Sequence, residues 1–311
     1  MNTIALCIPA YNAESYLPRL LLSAQKQLVP FDEIWVYNDC STDATAAVAK
    51  QYGAKVINGD VNSGCSYGKN ILAQNTNCQW IHFHDADDEL LPNFTTLAHK
   101  WVVKPNCPDV VLFNYEYRDN ETNQLLAIRN FDKDALLKDT IAYAIKEQIN
   151  QFCGLYRKTA HTKAGGYDTD PFILYNEDKA YHIRLAINGL SFSAEPEISI
   201  INYRISNSMS AANVGKCLHD QYYVLKKTTV SHGQKYKAEL AEEFWHCAVR
   251  LAAEKDWEFV RKALSEIKGL GFNHFIEKPF GFKALASANP FFALWVREMM
   301  IRIFKPYLRK R

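Results

Sequence analysis

The feature that most constrains the fold is a regular alternation of short apolar runs and longer helical patterns over the first hundred residues. The short runs are rich in β-branched and aromatic residues, and segments with helical periodicity separate them. This alternation is typical of right-handed crossovers between parallel strands. The predicted strands are residues 3–8, 33–38, 55–57 and 80–84, and the predicted helices are residues 13–28, 42–52 and 67–76. The sequence therefore predicts an α/β fold with a mostly parallel central sheet flanked by helices.

The pattern changes in the second hundred residues and again near residue 210. Extended runs predict a hairpin over residues 109–128, and Gly189 is a candidate C-cap for a helix that precedes it. Beyond residue 210 only helical periodicity remains. Further predicted helices are residues 136–148, 177–188, 216–229, 235–254, 257–268 and 291–304, and further strands are residues 152–156 and 198–203. We expect one domain over residues 1–210 and a helical region over residues 211–311.

Composition and cysteine usage exclude several classes of protein. A chain of 311 residues with 48% hydrophobic and 23% charged residues is typical of a globular protein, and its net charge of +2 gives no global attraction to nucleic acid. The eight cysteines form no C-x-x-C pair, so neither a zinc ribbon nor a disulfide framework is expected. The sequence shows no basic leader and no uncharged apolar run of about 18 residues. We expect a protein of the reducing cytosol.

Polar side chains follow the first two predicted strands, at the sheet edge where α/β proteins bind ligands. The motif "IPAYN" at residues 8–12 closes the first strand, and "NDCSTD" at residues 38–43 closes the second. Ser41 or Thr42 fits the position of a helix cap. Asp39 precedes the cap, so it is a candidate to accept hydrogen bonds from a base or a ribose.

The segment "NSGCSYGKN" at residues 62–70 follows the third predicted strand. Its glycines permit close backbone approach, and Lys69 lies near the start of a helix, where phosphate is favoured. The segment is not a P-loop, because the glycine spacing differs and Asn70 replaces the hydroxyl residue. A plain turn with a solvated lysine is the alternative.

The fourth predicted strand leads into "IHFHDADDEL" at residues 81–90. His82 and His84 point to the same face of a strand, as in zinc hydrolases. That pattern, H-x-H-x-D-H, requires Asp and His where this chain has Ala86 and Asp87. The acids also lack the glycine and the twelfth-position glutamate of a calcium loop. We expect the histidines to lie within the sheet with satisfied hydrogen bonds.

The acids Asp85, Asp87 and Asp88 are the remaining candidates for metal binding. Clustered carboxylates repel one another unless a cation or strong donors neutralise them. Oxygen ligands in an open site favour Mg²⁺ or Mn²⁺ shared with phosphates. The alternative is an acidic surface turn that caps the helix after Pro92, with Asp88 and Glu89 only beginning that helix.

These four motifs, in this order, resemble the family 2 glycosyltransferases of the GT-A fold over residues 1–205. The resemblance implies a nucleotide-sugar donor, usually a UDP-sugar, a divalent metal ion (Mn²⁺ or Mg²⁺), and transfer to an acceptor hydroxyl with inversion. It divides the domain into a nucleotide-binding half (1–105) and an acceptor and catalytic-base half (106–210). Asp87 matches the metal ligand of the D-x-D pair. Residues that match donor contacts are Pro9, Tyr11, Asn12, Asp39, Gly64, Lys69, Asp85 and Arg204.

Two of these assignments carry an alternative. The family often has arginine where this chain has Lys69, and lysine keeps the charge but loses the bidentate fork. Arg204 belongs to "NYRISNSMS" at residues 202–210, a segment that resembles the end of the family's domain near the diphosphate. It is equally compatible with a structural ion pair.

The catalytic base implied by the resemblance lies in "GGYDTDPFILYNED" at residues 165–178. This segment resembles the family's glycine-rich loop followed by an E-D pair at a helix start. Asp178 matches the general base, and Gly166 and Glu177 match residues that bind the acceptor or orient the site. An acid in a first helical turn is also favoured by the helix dipole alone.

The last 21 residues, "FFALWVREMMIRIFKPYLRKR", are apolar and basic. From Arg297 onward there are six basic residues and one acid. This combination fits an anionic membrane surface, and it also fits a terminal helix packed on the protein. The membrane interpretation would favour a lipid-linked or lipopolysaccharide acceptor.

The expected function is inverting glycosyl transfer to a glycan or glycolipid, in surface polysaccharide or lipopolysaccharide biosynthesis. We expect a cytoplasmic location, or a peripheral one on the cytoplasmic face of the inner membrane, and no nucleic-acid partner. A nucleotidyltransferase is the enzyme alternative, although "IPAYNAES" lacks a glycine-rich triphosphate loop. A domain that only binds a sugar nucleotide is the non-catalytic alternative.

Overall fold

The computed structural model describes residues 2–205, 208–274 and 280–309. The chain forms two compact units. Unit 1 comprises Met1–Ala144, Gln148–Asp170 and Glu177–Ser208. Unit 2 comprises Ile145–Glu147, Pro171–Asn176 and Met209–Arg311.

Unit 1 is built on one mixed sheet of nine strands. The order is β3-β2-β1-β4-β8-β6-β9-β5, with β7 paired to β6 outside this path. The pairs β1–β2, β1–β4, β2–β3 and β6–β9 are parallel, and β8 runs antiparallel to both of its neighbours. The strands are β1 (Ile4–Ala10), β2 (Glu33–Asn38), β3 (Lys55–Asn58), β4 (Trp80–Phe83), β5 (Glu89–Leu90), β6 (Val110–Asp119), β7 (Leu125–Arg129), β8 (Gly154–Arg157) and β9 (Phe192–Arg204).

Helices connect these strands. The helices up to β9 are α1 (Leu17–Gln25), α2 (Thr45–Gln51), α3 (Cys65–Asn75), α4 (Phe94–Val102), α5 (Lys133–Lys138), α6 (Thr140–Lys146), α7 (Lys158–Lys163) and α8 (Glu177–Ile187), with 3₁₀ turns at Gln151–Cys153 and Pro171–Ile173. The predicted α/β class is confirmed, and each of the four early strands lies within two residues of its expected position.

The predicted helix over residues 136–148 is two helices, α5 and α6. The Asp139 carboxylate accepts hydrogen bonds from the backbone of Ile141 (3.1 Å) and Ala142 (3.0 Å). It therefore caps a new helix at the point where the apolar periodicity continues unbroken. The sequence pattern alone did not reveal β5 or α7, and the helix expected after Pro92 is α4.

The register of the parallel strands brings the predicted ligand-binding segments to one edge. Ala10 at the end of β1 pairs with Asn38 at the end of β2, and Cys7 pairs with Phe83 at the end of β4. Because β8 is antiparallel, its first residues lie beside the last residues of β4, where His82 pairs with Leu155. The segments that follow these strands therefore meet at the same edge.

Unit 2 is helical as far as it is described. Its helices are α9 (Met209–Ala212), α10 (Val214–His232), α11 (Lys237–Ala253), α12 (Trp257–Gly269), α13 (Phe280–Ala288) and α14 (Pro290–Phe304), followed by a 3₁₀ turn at Pro306–Arg309. Helix α11 buries Leu240, Phe244, Cys247 and Leu251, which share one helical face. The sequence pattern did not reveal α13.

Two expectations concern cysteines and membrane segments. Among the described residues no disulfide joins any of the eight cysteines. No helix in the described ranges has the length and apolarity needed to cross a bilayer.

Two helical glycines provide a matched test of the packing between α3 and β2. A Cβ atom on Gly68 would lie 2.6 Å from Cδ1 of the buried Tyr37 ring, whereas a Cβ on Gly215 in α10 meets nothing within 4 Å. We expect Gly68→Ala to lower the free energy of unfolding by about 1–3 kcal/mol because it overpacks the core. Gly215→Ala should be neutral or stabilising by up to about 1 kcal/mol. Urea denaturation measures both, and equal effects would contradict the packing.

Candidate active site

Asp39 organises the turn that follows β2. Its carboxylate is buried and accepts hydrogen bonds from the backbone of Ser63 and Gly64, both at 2.8 Å. Gly64 has a φ of +85°, a left-handed conformation that favours glycine. Each carboxylate oxygen retains a free lone-pair direction, so Asp39 can still accept a hydrogen bond from a ligand.

Asn12 links the ends of β1 and β2. Its backbone N–H donates to Ser41 Oγ (3.0 Å), and its side-chain oxygen accepts from the backbone of Thr42 (2.9 Å). The expectation that Ser41 or Thr42 caps the next helix is therefore wrong, because both bind Asn12 and α2 begins later, at Thr45. Of the neighbouring predicted donor contacts, Pro9 is half-buried within β1, and Tyr11 is 51% exposed.

The acids Asp85 and Asp87 follow β4 and are half-buried. Gln151, in the 3₁₀ turn before β8, donates a side-chain hydrogen bond to Asp85. Arg19 of α1 donates to the backbone carbonyl of Asp87, and its guanidinium lies 3.7 Å from the centre of the Tyr203 ring. The two acids are thus positioned by side chains from separate elements of unit 1.

Asp88 and Glu89 do not begin a helix, so that part of the alternative is wrong. Glu89 starts β5, which pairs with β9, whereas α4 begins at Phe94. Asp88 is fully buried and accepts from Asn202 Nδ2 and from the backbone of Tyr203, both at 2.8 Å. Burial raises the pKa of Asp88, and these two donors stabilise its charged form. Asp88 therefore joins the acidic turn to β9.

Both histidines are buried, His82 in β4 and His84 directly after it. The expected satisfied hydrogen bonds are found for His82, whereas the buried Nε2 of His84 has no hydrogen-bond partner among the described residues. His82 Nδ1 lies 2.8 Å from the Gly154 carbonyl, and His82 Nε2 lies 2.9 Å from His84 Nδ1. A carbonyl only accepts, so His82 carries its proton on Nδ1 and His84 donates to Nε2. Burial lowers the pKa of His82 to about 3 and that of His84 well below its usual value. Both rings are neutral parts of the packing.

Lys69 lies against the predicted catalytic acids. Its ammonium is fully buried and binds Glu177 at 3.0 Å and Asp178 at 3.2 Å. It also lies 4.6 Å from the centre of the Tyr167 ring. The alternative of a solvated lysine is therefore wrong. Two of the three ammonium donors bind these carboxylates, and a contact of Lys69 with the diphosphate stays a prediction.

The electrostatics around Asp178 are those of a poised base. Burial raises the pKa of Asp178 to about 7, the neighbouring charge of Glu177 adds to this rise, and Lys69 opposes it. The backbone N–H of Gln151 also donates to Asp178, at 3.3 Å. The Asp178 side chain keeps 14% of its surface exposed, so a substrate can reach it. A carboxylate with these properties can take a proton near neutral pH.

A similar balance acts on Asp85. Burial raises its pKa to about 8, Lys69 opposes this rise, and the nearby charge of Asp87 reinforces it. Burial also raises the pKa of Asp87 itself. A carboxylate whose pKa is raised in this way is stabilised in its charged form when a cation or a hydrogen-bond donor binds to it.

The glycine-rich loop packs on α3. Gly166 has a φ of +69°, and a Cβ there would lie 2.5 Å from Asn70 Oδ1. Asn70 binds both the N–H (2.8 Å) and the carbonyl (2.9 Å) of Tyr167. The loop thereby places Tyr167 beside Lys69, and a role of Gly166 toward the acceptor stays a prediction.

Arg204 lies apart from the acids in the described contacts. Its side chain is exposed, and its guanidinium lies 4.2 Å from the centre of the Tyr117 ring. No ion pair of Arg204 is found among the described residues, and its proposed contact with the diphosphate stays a prediction. Ser206 and Asn207 of the same segment lie outside the described residues.

The site includes three residues that sequence reasoning missed, namely Arg19, Gln151 and Tyr167. Tyr167 belongs to the G-G-Y-D motif and carried a signal, but Arg19 and Gln151 stand in a helix and a 3₁₀ turn without any pattern of their own. Only the fold brings them to the acids.

The donor set fits a magnesium or manganese ion that is shared with a substrate. Among the described residues, no group of three or more His, Cys, Asp or Glu side chains could hold a metal unaided. Mg²⁺ is usually bound by one or two carboxylates plus substrate phosphates, and Asp87 with Asp85 supplies carboxylates of that kind.

Comparison with known proteins identifies the family. The model of glycosyl transferase family 2 matches residues 5–163, so the chain belongs to this family. Membership of a glycosyltransferase family favours that interpretation over the nucleotidyltransferase alternative.

Two curated relatives show the range of similarity. Glycosyltransferase GlyA of Streptococcus pneumoniae is 27% identical over 159 residues, which are 50% of this chain and 22% of that protein. The putative teichuronic acid biosynthesis glycosyltransferase TuaG of Bacillus subtilis is 22% identical over 241 residues, 75% of this chain and 90% of that protein. The chain thus spans about a fifth of GlyA but most of TuaG.

Solved structures confirm the GT-A fold. Residues 1–349 of S. aureus TarS, in complex with UDP-GlcNAc, superpose with a TM-score of 0.71 at 17% identity, over 96% of this chain and 91% of that one. The mannosyltransferase PcManGT of Pyrobaculum calidifontis, in complex with GDP-Man and Mn²⁺, superposes with a TM-score of 0.62 at 15% identity. The match covers 98% of this chain and 81% of that one.

The two acids after Asp87 provide a test of their structural role. Asp88→Ala leaves the backbone N–H of Tyr203 and the amide of Asn202 buried without an acceptor, at a cost of about 1–3 kcal/mol for each group. Glu89→Ala removes only the acceptor of the Tyr203 hydroxyl, which also lies 3.4 Å from Asn123 Oδ1. We expect a clearly larger fall in the free energy of unfolding for Asp88→Ala, measured in urea. A smaller loss than for Glu89→Ala would contradict the assignment.

Proposed function

We propose that this chain is an inverting glycosyltransferase that uses a nucleotide-sugar donor, specifically a UDP-sugar, and a hydroxyl acceptor on a glycan or glycolipid. The observation that carries the proposal is the partly exposed Asp178, held near neutral pKa beside the buried Lys69. The D-x-D acids follow β4 in the same unit, where a donor diphosphate would lie. The complex of TarS with UDP-GlcNAc supports the choice of a UDP-sugar.

We assign the product to a cell-surface polysaccharide. TuaG is named for teichuronic acid biosynthesis, and a teichoic acid poly(glycerol phosphate) polymerase of Staphylococcus epidermidis is 32% identical over 96 residues. Both names refer to bacterial wall polymers. We place the reaction in the cytoplasm, because cysteines without disulfides fit a reducing compartment.

The proposed reaction is a single displacement. Asp178 accepts the proton of the acceptor hydroxyl while that oxygen attacks the anomeric carbon from the face opposite the diphosphate. The new glycosidic bond forms as the bond between the anomeric carbon and the phosphate oxygen breaks, and the nucleoside diphosphate leaves with the bonding electrons. A base with a pKa near 7 is matched to this proton transfer.

Other residues of the site bind the donor in this proposal. Asp39 accepts a hydrogen bond from the nucleobase, and Asp85 binds the ribose. Asp87 would hold a divalent ion, which would supply positive charge for the leaving diphosphate. Gln151 and Arg19 keep the two acids in place through their hydrogen bonds.

Lys69 and Glu177 act as positioning residues. The ammonium of Lys69 contacts both Glu177 and Asp178, so it fixes the direction of the base and opposes the rise of its pKa. Glu177 is the second acceptor of that ammonium. Its negative charge raises the pKa of Asp178, whereas the charge of Lys69 lowers it.

A panel of nucleotide sugars tests the proposal and separates the roles of Asp178 and Asp87. We expect a UDP-sugar with Mn²⁺ to raise the melting temperature of the wild-type protein. Asp178→Asn should keep this shift but reduce sugar transfer by at least about 100-fold, because it removes the base. Asp87→Asn should lose the part of the shift that depends on Mn²⁺.

The matched control for these variants is Asp134→Asn, an exposed acid of α5. It should leave both donor binding and transfer unchanged. The proposal fails if no nucleotide sugar stabilises the protein, or if Asp178→Asn transfers sugar at the wild-type rate.

The pH dependence of transfer tests the pKa of Asp178. Only the ionised carboxylate accepts a proton, so kcat/KM should rise with pH through about 7. Glu177→Gln removes a neighbouring negative charge and should move this rise to lower pH, whereas Lys69→Met removes the positive charge and should move it to higher pH. Rates at constant ionic strength, on variants with native circular dichroism, measure the shifts. Shifts of the two pH profiles in the same direction would contradict the assignment of Asp178 as the base.

A further inference from the structure

Helix α14 and the turn after it expose a continuous row of large apolar side chains. Their exposed fractions range from 38% to 68%. We call this row the apolar face, and it consists of Phe292, Trp295, Met299, Met300, Ile303, Phe304, Tyr307 and Leu308. Four of these residues, at positions 292, 295, 299 and 303, repeat with helical spacing, so they lie along one side of the helix.

The charged residues of the same helix point the other way. The Glu298 side chain is 2% exposed and binds Arg297 at 2.6 Å and Arg309 at 2.7 Å. Arg302 donates to the carbonyl of Ala253 in α11, at 2.6 Å. A surface helix normally buries its large apolar side chains. Helix α14 buries only Ala293, Leu294 and Glu298 among its described residues, and it exposes a row of large apolar side chains. The Arg302 hydrogen bond joins α14 to α11, and the described residues leave the apolar face exposed.

The charge around the apolar face is positive. From residue 290 to 309 the sequence contains one acid, Glu298, and it is buried. Lys305 is exposed at the end of the helix, and the sequence continues with Lys310 and Arg311, which lie outside the described residues. A surface that combines apolar side chains with basic ones complements anionic lipid headgroups.

The aromatic side chains fit the same partner. The rings of Phe292 and Trp295 are stacked, with centroids 5.9 Å apart and planes at 13°. Tyr307 is 65% exposed at the other end of the apolar face. Tryptophan and tyrosine favour the boundary between acyl chains and headgroups, since each has an apolar body and a polar tip.

We propose that the apolar face binds an anionic lipid bilayer, with α14 lying in the plane of the headgroups. This orientation follows from the helix itself. Its 15 residues are too few to span a membrane, and its exposed apolar side chains at positions 292, 295, 299 and 303 lie along one side. The proposal does not depend on the catalytic assignment, since it uses none of the residues of the active site.

Vesicle flotation with the full-length protein tests the proposal. We expect wild-type protein to float with vesicles of phosphatidylcholine and phosphatidylglycerol (about 7:3) and to bind pure phosphatidylcholine about tenfold less, because basic residues add to the affinity only on an anionic surface. The combined variant Trp295→Ser/Ile303→Ser/Phe304→Ser should lose at least about tenfold in partitioning, since it removes inserted apolar area. Lys305→Glu should weaken binding severalfold, and more at low salt than at high salt.

The matched control replaces two exposed apolar residues elsewhere. Leu28→Ser/Val230→Ser changes side chains that are 71% and 85% exposed, and it should float like the wild type. The altered apolar side chains are 42% to 85% exposed and none is a core residue, so circular dichroism should stay unchanged and the melting temperature should change little. Sugar transfer to a water-soluble acceptor should also persist in the triple variant.

Two results would overturn the proposal. In the first, the wild-type protein does not float with anionic vesicles, or the triple variant floats as well as the wild type. In the second, light scattering shows a dimer that the triple variant dissociates while vesicles bind neither protein. The second result would identify another copy of the chain as the occupant of the apolar face.

Discussion

The buried ammonium of Lys69 is the interaction on which the rest of the site depends. It reaches from α3 to the first turn of α8 and contacts two carboxylates there. Two acids adjacent in sequence would repel each other at a buried helix start, and the helix dipole offsets only part of that repulsion. With Lys69 between them, the chain can place Asp178 in a largely buried position without leaving its charge uncompensated.

Burial and charge give the clustered acids different environments. Asp88 accepts two hydrogen bonds from β9 and is withdrawn from solvent. Gln151 donates to the carboxylate of Asp85, whereas Arg19 donates to the backbone carbonyl of Asp87. The Asp87 carboxylate therefore remains available for a ligand. The three neighbouring aspartates therefore differ in the hydrogen-bond donors that contact them. The sequence motif, in which all three are the same residue type, does not show this difference.

Features of this protein that depend on residues close in sequence were predicted, and features that depend on residues far apart in sequence were missed. Strands β1 to β4 were predicted because alternation and composition are local properties. Asp39 and Asp85 were found as candidates because each follows a recognisable strand end, whereas Asp178 became a candidate because its segment resembles the family's E-D pair at a helix start. Gln151 was missed, because its partner Asp85 lies 66 positions away and no local pattern marks the pair. The break at Asp139 was missed because a side-chain cap can interrupt an apolar periodicity that continues on both sides.

The same limit applies to the end of the chain. Its apolar and basic composition was visible in the sequence, and two interpretations followed from it. The side of α14 that packs inward is the one with the buried Ala293, Leu294 and Glu298, and Arg302 contacts the Ala253 carbonyl of α11. This packing leaves the row of large apolar side chains outward, an orientation that helical periodicity by itself cannot determine.

The lysine at position 69 has a structural explanation where the family often has arginine. Its ammonium contacts Glu177, Asp178 and the face of the Tyr167 ring, and no part of the residue reaches solvent. A compact charge with tetrahedral donors can serve partners in three directions, whereas a planar guanidinium directs its donors within one plane. Lys69→Arg would also add volume at a fully buried position, and overpacking of this kind destabilises the fold. The departure from the family pattern therefore matches the position of Tyr167, which the glycine-rich loop and Asn70 place against the ammonium.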